Sequence, residues 1–307
     1  MAEVTASLVK ELRDKSGAGM MDCKKALKET DGNLEEAVDW LRTKGLASAA
    51  KKAGRVASEG LVGINSKGTS GAILEVNSET DFVARNDDFQ AFVSNITGLA
   101  ASAGDLDALK AMAYPGEDRN VEEQLTHMIA MVGENMGLRR MSVLNVDSGI
   151  IASYMHNAIS SGLGKIGVLV ALQSDGDADK LNALGKQLAM HIAAAAPQSV
   201  SRDDLDHEII ERERQVLSEQ ARDSGKPEKI IEKMVEGRIR KFYEEVCLLD
   251  QTYVVDGESK ISDVLENAGK DIGSPVSIKA FDRFALGEGI EKEKEDYASE
   301  VAALAGT

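Results

Sequence analysis

The chain has 307 residues, of which 43% are hydrophobic and 29% charged, and its formal net charge is −16 at pH 7. This composition is typical of a folded globular protein with roughly two or three domains. No apolar run approaches the roughly 20 residues of a membrane-spanning helix, and the negative charge argues against direct binding to nucleic acid, so we expect neither kind of partner.

The N-terminus and the cysteines point to the cytoplasm. Residues 1–5 lack the basic and apolar regions of a signal peptide. Cys23 and Cys247 are the only cysteines, and they form neither a disulfide framework nor a CxxC pair. We therefore expect a cytoplasmic protein in which Cys23 is a small core residue rather than a nucleophile.

Residues 1–54 predict a compact unit of three helices, because apolar residues recur every three or four positions. A glycine-containing break at 16–19 separates the first two helices. Asn33 is a suitable cap for the third helix, and Gly45 is a suitable end. The basic stretch 51–55 favours a solvated linker, with a local basic patch as the alternative. A unit this small has a thin core, so we expect it to be a docking domain.

A β-hairpin followed by a helix is predicted next. Apolar stretches at 62–65 and 72–76 flank a polar turn, and the periodicity of 89–99 indicates an amphipathic helix. The same order recurs in segments 151–156, 166–172 and 181–192. We interpret this recurrence as a diverged internal duplication. We expect the two units to join at their edges into one antiparallel sheet covered by helices, which makes an α+β core.

The loop after the first hairpin, residues 77–86, carries the most informative pattern in the chain. It places a carboxylate beside a large aromatic side chain, in Asp81 and Phe82. Thr80 is a candidate cap for a helical turn, with Asp81 near the positive end of its dipole. Neighbouring residues on a helix do not share a face, so Asp81 and Phe82 should point in different directions. Such an arrangement suits recognition better than catalysis.

Two charged helices are predicted between residues 201 and 246, separated by a break at 224–227. The apolar residues expected to line them are Leu205, Ile209, Val216, Ile231, Val235, Phe242 and Val246. This pattern favours a helical hairpin that projects from the core, with two ordinary surface helices as the alternative. A last core strand is predicted near 253–255, a further strand at 276–281, and an exposed C-terminal helix at 291–304.

The chain lacks the motifs of an enzyme. None of its Gly-Lys pairs is followed by Ser or Thr, as a nucleotide-binding P-loop requires. The four histidines are scattered, and residues 207–211 fail the zinc-protease pattern. Acidic pairs such as Asp87-Asp88 are typical of helix caps and solvated surface. We therefore expect no catalytic residues, no metal and no cofactor.

Six segments carry a resemblance that no single one of them would justify. Two of them read Leu-Arg-Asp-Lys-Ser-Gly-Ala-Gly-Met-Met-Asp-Cys-Lys-Lys-Ala-Leu and Asn-Ser-Glu-Thr-Asp-Phe-Val-Ala-Arg-Asn. In chain order the six segments are 12–27, 77–86, 154–156, 165–170, 225–242 and 284–298. Together they resemble the elongation factor Ts family, whose members are guanine-nucleotide exchange factors of the translational GTPase elongation factor Tu.

The resemblance adds detail to the predicted α+β fold. It implies a ubiquitin-associated-like (UBA-like) three-helix bundle at the N-terminus, a coiled coil in the inserted helical hairpin, and a C-terminal helix. The predicted parts are a docking domain at 1–54, a core N-subdomain at 55–148, a core C-subdomain at 149–200 and 247–280, a helical hairpin at 201–246, and a C-terminal module at 281–307.

The resemblance also implies a function in protein biosynthesis. The chain would bind elongation factor Tu carrying GDP and promote GDP release, so that GTP can rebind. The residues Thr80, Asp81, Phe82 and Val83 would intrude near the magnesium and phosphate site of that GTPase. Phe82 would act as a wedge, and Asp81 would disrupt polar contacts near the phosphates. The alternative for Phe82 is a buried staple that closes its own subdomain.

Further contacts with the GTPase follow from the same resemblance. The N-terminal signature contributes Arg13, Gly17, Gly19, Met20 and Met21. His156 would reach a different domain of the partner, although a histidine beside Tyr154 is also compatible with a purely structural role. The stretch between His156 and Lys165 is longer than in the commonest family form. The helical hairpin allows a homodimer or a heterotetramer, and a one-to-one complex is equally allowed.

Two other function classes stay open. A helical adaptor would bind protein partners through residues 1–54 without exchange activity, but it leaves the 80–83 segment without a purpose. A small-molecule enzyme is the third class, and it lacks the expected motifs. Partner binding by residues 1–54 alone would favour the adaptor.

Overall fold

The computed structural model of the chain describes residues 4–16, 18–223 and 227–291, and its fold is α+β. Two antiparallel sheets form its centre, with helices on their outer faces. Within the described residues, no helix combines the length and the apolar character that crossing a membrane demands.

Three helices form the N-terminal part: α1 (Ala6–Ser16), α2 (Met20–Glu29) and α3 (Leu34–Lys52). They share an apolar cluster in which Leu12, Cys23 and Leu27 are fully buried. Cys23 is therefore a core residue, as predicted. The side chain of Asn33 accepts hydrogen bonds from two backbone amides in the first turn of α3, so it caps that helix as predicted.

The next part of the chain builds one sheet and its covering helices. Its elements are β1 (Glu59–Lys67), β2 (Ser70–Ser78), α4 (Asp87–Ala103), α5 (Leu106–Ala111), α6 (Val121–Val132) and β3 (Met136–Asn145). The predicted hairpin is confirmed, because β1 pairs with β2 in antiparallel register. The predicted helix is confirmed as α4, whose Phe89, Phe92 and Ile96 are fully buried against the sheet.

Helix α3 is longer than predicted, because it packs against α6. It continues through Gly45 to Lys52, so the predicted end at Gly45 was wrong, and Lys51 and Lys52 form its last turn rather than a linker. A Cβ atom placed on Gly45 would lie 3.3 Å from the Cβ of Ala130, so this glycine marks a close approach of the two helices. Tertiary packing overrides the local stop signal here.

The second half of the core begins with β4 (Gly149–His156), β5 (Leu163–Gly164), β6 (Ile166–Gln173) and α7 (Ala178–Ala195). The repeated order of hairpin and helix is confirmed by β4, β6 and α7. The strand order is β3-β2-β1-β5 in the first sheet and β4-β6-β7 in the second, where β7 is the last strand of the chain, Ser277–Ala285.

The prediction that the two units join at their edges into one sheet was wrong. The two sheets stack face to face, and Val62, Ile73, Ile151 and Leu169 are buried between them. A Cβ atom on Gly167 would lie 2.8 Å from side-chain atoms of the facing sheet, so the sheets approach closely there. The reason is that β2 and β6 are buried on both faces. One face needs a helix and the other needs the second sheet.

Two long helices follow, α8 (His207–Arg222) and α9 (Glu228–Val246). They pack against each other through Leu217, Ala221, Ile231, Val235 and Ile239. The apolar lining predicted for the first helix was wrong, since Ile209 and Val216 are exposed and Leu205 precedes α8. The contact face of α8 passes instead through Leu217 and Ala221. Residues 224–226 of the predicted break lie outside the described residues.

The last described elements are α10 (Ile261–Ile272) and β7. The strand predicted at 276–281 is confirmed, because β7 pairs with β6. The strand predicted near 253–255 was wrong. Tyr253 accepts a hydrogen bond from the amide of Gly257 in a turn, and Val254 and Val255 are exposed. Apart from Glu291, the predicted C-terminal helix lies outside the described residues.

A buried carboxylate joins the first sheet to the segment after β7. Glu75 of β2 is fully buried, and it accepts hydrogen bonds from Asn77, Arg139, Arg140 and the amide of Gly287. Burial alone raises the pKa of Glu75, but the hydrogen bond from Gly287 and those from Asn77 and Arg140 outweigh it, so the pKa is lowered. This network holds two distant parts of the chain together.

Candidate partner-binding site

The loop that follows β2, residues 79–86, is fixed at its far end. Residues Val83–Arg85 form a single 3-10 turn, and Val83 and Ala84 are buried in the core of the first sheet. Asn86 then caps α4, because its side-chain oxygen accepts a hydrogen bond of 2.9 Å from the helix. The loop therefore enters α4 in a defined conformation.

Phe82 projects from this anchored loop into solvent. Its side chain is 74% exposed, whereas phenylalanine is among the residues most often buried. The alternative that Phe82 is a buried staple is therefore wrong. Asp81 is also exposed, and its carboxylate lies 3.8 Å from the guanidinium of Arg85. An exposed pair at this distance contributes little to stability. The loop thus presents an aromatic ring beside a negative charge.

Thr80 does not cap the turn as predicted, because the 3-10 turn has no side-chain cap. Its amide and its hydroxyl instead both donate to the carboxylate of Glu134, over 2.9 and 2.7 Å. Glu134 comes from the turn between α6 and β3. The near end of the loop is therefore held by a side chain that is 54 residues away in the sequence.

Glu134 belongs to a group of residues that we call the clasp. Its members are Arg55, Glu79, Thr80, Glu134 and Asn135. The amide of Asn135 donates to the carboxylate of Glu79, which also lies 3.4 Å from the Arg55 guanidinium. The side chain of Asn135 donates to the carbonyl of Arg55 over 2.7 Å. The clasp thus ties the 79–86 loop to the exit of α3 and to the entry of β3.

The residues predicted from the N-terminal signature lie on the first two helices. Met20 and Met21 are 59% and 75% exposed at the start of α2, and Arg13 is exposed on α1. Gly19 precedes α2, whereas Gly17 lies outside the described residues. In the described part of the chain, no hydrogen bond or ion pair joins these residues to the 79–86 loop.

His156 ends β4 and is exposed, and its Nδ1 atom lies 3.2 Å from the Tyr154 hydroxyl. The stretch that follows it crosses to the first sheet. Leu163 in that stretch is buried, and it pairs with Gly63 of β1 as part of β5. The stretch between His156 and Lys165 therefore supplies the fourth strand of the first sheet, and this pairing holds the region after His156 against that sheet.

Comparison with known proteins identifies the family to which this chain belongs. The sequence model described as Elongation factor TS matches residues 79–288, from the clasp to the segment after β7. The chain belongs to the elongation factor Ts family. It is therefore a factor of translation elongation, and membership of the family implies partnership with elongation factor Tu.

Relatives that match over their full length support the assignment. Elongation factor Ts of Paramagnetospirillum magneticum is 64% identical over 308 residues, which cover 100% of this chain and 99% of the relative. Elongation factor Ts of Rhodospirillum rubrum is 64% identical over 305 residues, with 99% of both chains covered. That of Rhodospirillum centenum is 61% identical over 307 residues, with 100% of both chains covered.

This member of the elongation factor Ts family exposes further apolar side chains that sequence analysis did not single out. They include Leu46, Val56, Met131, Ile159 and Met190. Leu46 and Met131 follow directly on Gly45 and Ala130, the contact point of α3 and α6. An apolar residue in a helical pattern predicts burial, so the exposure of Leu46 and Met131 carries no signal in the sequence.

Within the described ranges, no group of three or more His, Cys, Asp or Glu side chains is arranged to hold a metal ion. His191 is fully buried on α7, where its ring lies 2.9 Å from Gln251 and its Nδ1 accepts a hydrogen bond from the amide of Val254. Burial lowers the pKa of His191, which favours the neutral ring. Its role is to hold the turn at 253–257.

Proposed function

We propose that this chain binds elongation factor Tu carrying GDP and promotes release of the GDP, so that GTP can rebind. The observation that carries the proposal is the exposure of Phe82 beside Asp81, on a loop that the clasp and α4 hold at both ends. An exposed aromatic side chain gains free energy when a partner buries it. A fixed loop loses little conformational entropy when it binds.

The loop acts on the GTPase by displacement. Phe82 enters an apolar pocket near the magnesium and phosphate site, and it moves the elements that position the magnesium ion. Asp81 disrupts polar contacts near the phosphates, with Thr80 and Val83 completing the loop. Burial of a phenylalanine contributes about 1.5–3 kcal/mol. Since a tenfold change in affinity needs about 1.4 kcal/mol, the wedge accounts for about one or two powers of ten in nucleotide affinity.

The exchange reaction needs no covalent chemistry from this chain. A partner that weakens nucleotide binding must itself be bound more weakly when the nucleotide is present, by the same factor. The factor therefore binds the empty GTPase best, and incoming GTP helps to release it. It works in the cytoplasm, where translation takes place, and it needs neither a cofactor nor direct contact with nucleic acid.

Other surfaces extend the interface. Residues 1–54 form a UBA-like docking domain that grips the GTP-binding domain, through the signature residues Arg13, Gly17, Gly19, Met20 and Met21. The exposure of both methionines supports this role, because flexible and polarisable side chains suit an apolar interface. His156, at the exposed end of β4, reaches a different domain of the partner. The C-terminal module, residues 281–307, adds a further contact.

The proposed division of the chain into subdomains follows the apolar clusters. Separate clusters in the first sheet, the second sheet and the helical hairpin support a core N-subdomain at 55–148, a core C-subdomain at 149–200 and 247–280, and an inserted coiled coil at 201–246. The hairpin serves self-association, giving a homodimer or a heterotetramer with the GTPase. Ile209 and Val216, exposed seven residues apart on α8, support this assignment.

The proposal is tested by the release of a fluorescent GDP analogue from purified elongation factor Tu. Catalytic amounts of the full chain should accelerate release in proportion to the amount added, without GTP hydrolysis by the chain alone. A folded sample that binds the GTPase without accelerating release would instead establish an adaptor. Binding by residues 1–54 alone, at full affinity, would point to the same alternative.

A further inference from the structure

The turn between α6 and β3 is shaped so that it meets the 79–86 loop. Helix α6 ends at Gly133, which has a left-handed backbone with φ of 87°. Only glycine adopts this conformation without strain, and it turns the chain toward the end of β2. Glu134 and Asn135 then precede the first residue pair of the β2–β3 ladder, Ser78 with Met136. The two connections thus leave the sheet side by side.

The contacts between these connections are reciprocal. The carboxylate of Glu134 accepts a hydrogen bond from the amide of Thr80, and the carboxylate of Glu79 accepts one from the amide of Asn135. Each segment therefore supplies one acceptor and one backbone donor to the other. Hydrogen bonds to a charged acceptor are stronger than neutral ones. These bonds continue the β2–β3 ladder by side-chain contacts for two residues beyond its end.

Both oxygens of the Glu134 carboxylate are used by Thr80, one by the amide and one by the hydroxyl. The carbonyl of Thr80 accepts a further hydrogen bond of 3.0 Å from the Ser78 hydroxyl. The backbone of Thr80 is therefore fixed on both sides, two residues before Phe82. Phe82 itself is too exposed to be held by packing.

We infer that Glu134 is a positioning residue, which fixes the 79–86 loop before the partner arrives and so holds Phe82 in its outward orientation. This inference rests on the proposed exchange function and deepens it. Glu134 acts through Thr80, and it needs no contact with the GTPase. Without it, the segment from Thr80 to Phe82 loses its fixed start, and ordering that segment on binding opposes association.

The test measures GDP release from elongation factor Tu over a range of factor concentrations, with the full chain and with Glu134→Ala. The concentration that gives half of the maximal rate should rise about tenfold, the change that corresponds to about 1.4 kcal/mol of lost preorganisation. The maximal rate should change less, because Phe82 is still present. Glu134→Gln keeps one acceptor oxygen for Thr80 and should give an intermediate value. Asp118→Ala removes a negative charge at an exposed site and should behave as the unchanged chain.

A double-mutant comparison separates positioning from general stability. In a Phe82→Ala background, Glu134→Ala should cause no further change in exchange, because no aromatic ring remains to be positioned. Its effect on the thermal midpoint should be equal in both backgrounds. Equal losses of exchange in both backgrounds, or an unchanged half-maximal concentration for Glu134→Ala alone, would overturn the inference.

Two outcomes are kept apart by the same experiment. If the unchanged chain does not accelerate GDP release from elongation factor Tu, the proposed function fails. If the unchanged chain accelerates release and Glu134→Ala has the same half-maximal concentration, only the positioning role fails. If Glu134→Ala does not fold, the variant Thr80→Val takes its place in the comparison. This variant removes only the hydrogen bond of 2.7 Å from the Thr80 hydroxyl to Glu134. Its loss of exchange must likewise disappear in the Phe82→Ala background for the inference to stand.

Discussion

At the scale of single residues, the environment of Glu75 illustrates what a buried charge requires. Its carboxylate has no exposed surface, yet it receives hydrogen bonds from two arginines, an asparagine and a backbone amide. Both oxygens that burial takes from water therefore have partners in the protein. The consequence is a rigid junction between β2 and the segment that contains Gly287.

Replacement of Glu75 by alanine should lower the free energy of unfolding by about 3 kcal/mol, because it removes the buried carboxylate that pairs with both Arg139 and Arg140. Urea unfolding checks this value, and a loss below about 1 kcal/mol would contradict it. Glu75→Gln keeps the shape and should lose less.

The pH dependence of stability follows from the same residue. Since the pKa of Glu75 is lowered from its ordinary value of 4.5, the folded state favours the charged form. Its contribution is complete above 4.5 and is lost as the pH falls through the folded value. The free energy of unfolding of Glu75→Gln should therefore fall less steeply as the pH is lowered below 4.5 than that of the unchanged chain.

At the scale of elements, the helical hairpin packs independently of the 79–86 loop. Helices α8 and α9 pack through their own apolar cluster, and a second small cluster with Leu205, Val246 and Cys247 closes their base. Replacement of residues 206–246 by a short flexible linker should therefore leave GDP release unchanged and should abolish self-association. Analytical ultracentrifugation measures the second effect.

A pair of substitutions on the exposed face of α8 tests self-association without removing the hairpin. Ile209→Ser with Val216→Ser changes only exposed positions, so both helices should persist by circular dichroism. The variant should nevertheless be monomeric. An oligomeric state that neither the excision nor the double substitution alters would refute self-association through the hairpin.

The elements that sequence analysis predicted are those with a strong apolar signal. Helices α4 and α7 carry a regular helical pattern, β1 and β2 are apolar runs that flank a polar turn, and the structure confirms all four. β3 was missed, because Arg139 and Arg140 interrupt its alternation at the centre. α6 was also missed, although Asn120 and Glu123 form a capping box that marks its start.

The partner-binding site at the 79–86 loop was predicted only in part, because its contacts are not local in the sequence. The order of Asp81 and Phe82 is written in the sequence, but the exposure of Phe82 depends on which neighbours bury Val83 and Ala84. The clasp joins residues from three separate connections, and pairings across such distances leave no local pattern. Glu134 therefore appears as an ordinary acidic residue until the fold is known.

At the scale of the whole molecule, the stacking of the two sheets organises the core. A strand buried on both faces shows no alternation, so β2 and β6 gave no indication of which face meets a helix. The sheets approach closely where glycines allow it, at Gly71 and at Gly167. Shape complementarity between the sheets should therefore depend on those positions.

Gly167→Ala should lower stability by about 1–3 kcal/mol, since the added methyl group meets Val62 and Ile64 of the facing sheet. Gly98→Ala is the matched control, because Gly98 lies within α4 and a Cβ atom there has no neighbour within 4 Å. The control should gain about 0.5–1 kcal/mol. Opposite shifts of the thermal midpoint would support the stacked core, and equal shifts would contradict it.

Phe82 is the wedge in the proposed mechanism, and stopped-flow release of a fluorescent GDP analogue from elongation factor Tu with Phe82→Ala tests this role most directly. Because this side chain is 74% exposed, the variant should keep the thermal midpoint of the unchanged chain and should still bind the GTPase. Its maximal rate of GDP release should fall by at least about tenfold, as loss of the wedge requires. Release at the unchanged rate, or a loss of stability of about 3 kcal/mol as for a core cavity, would contradict the account.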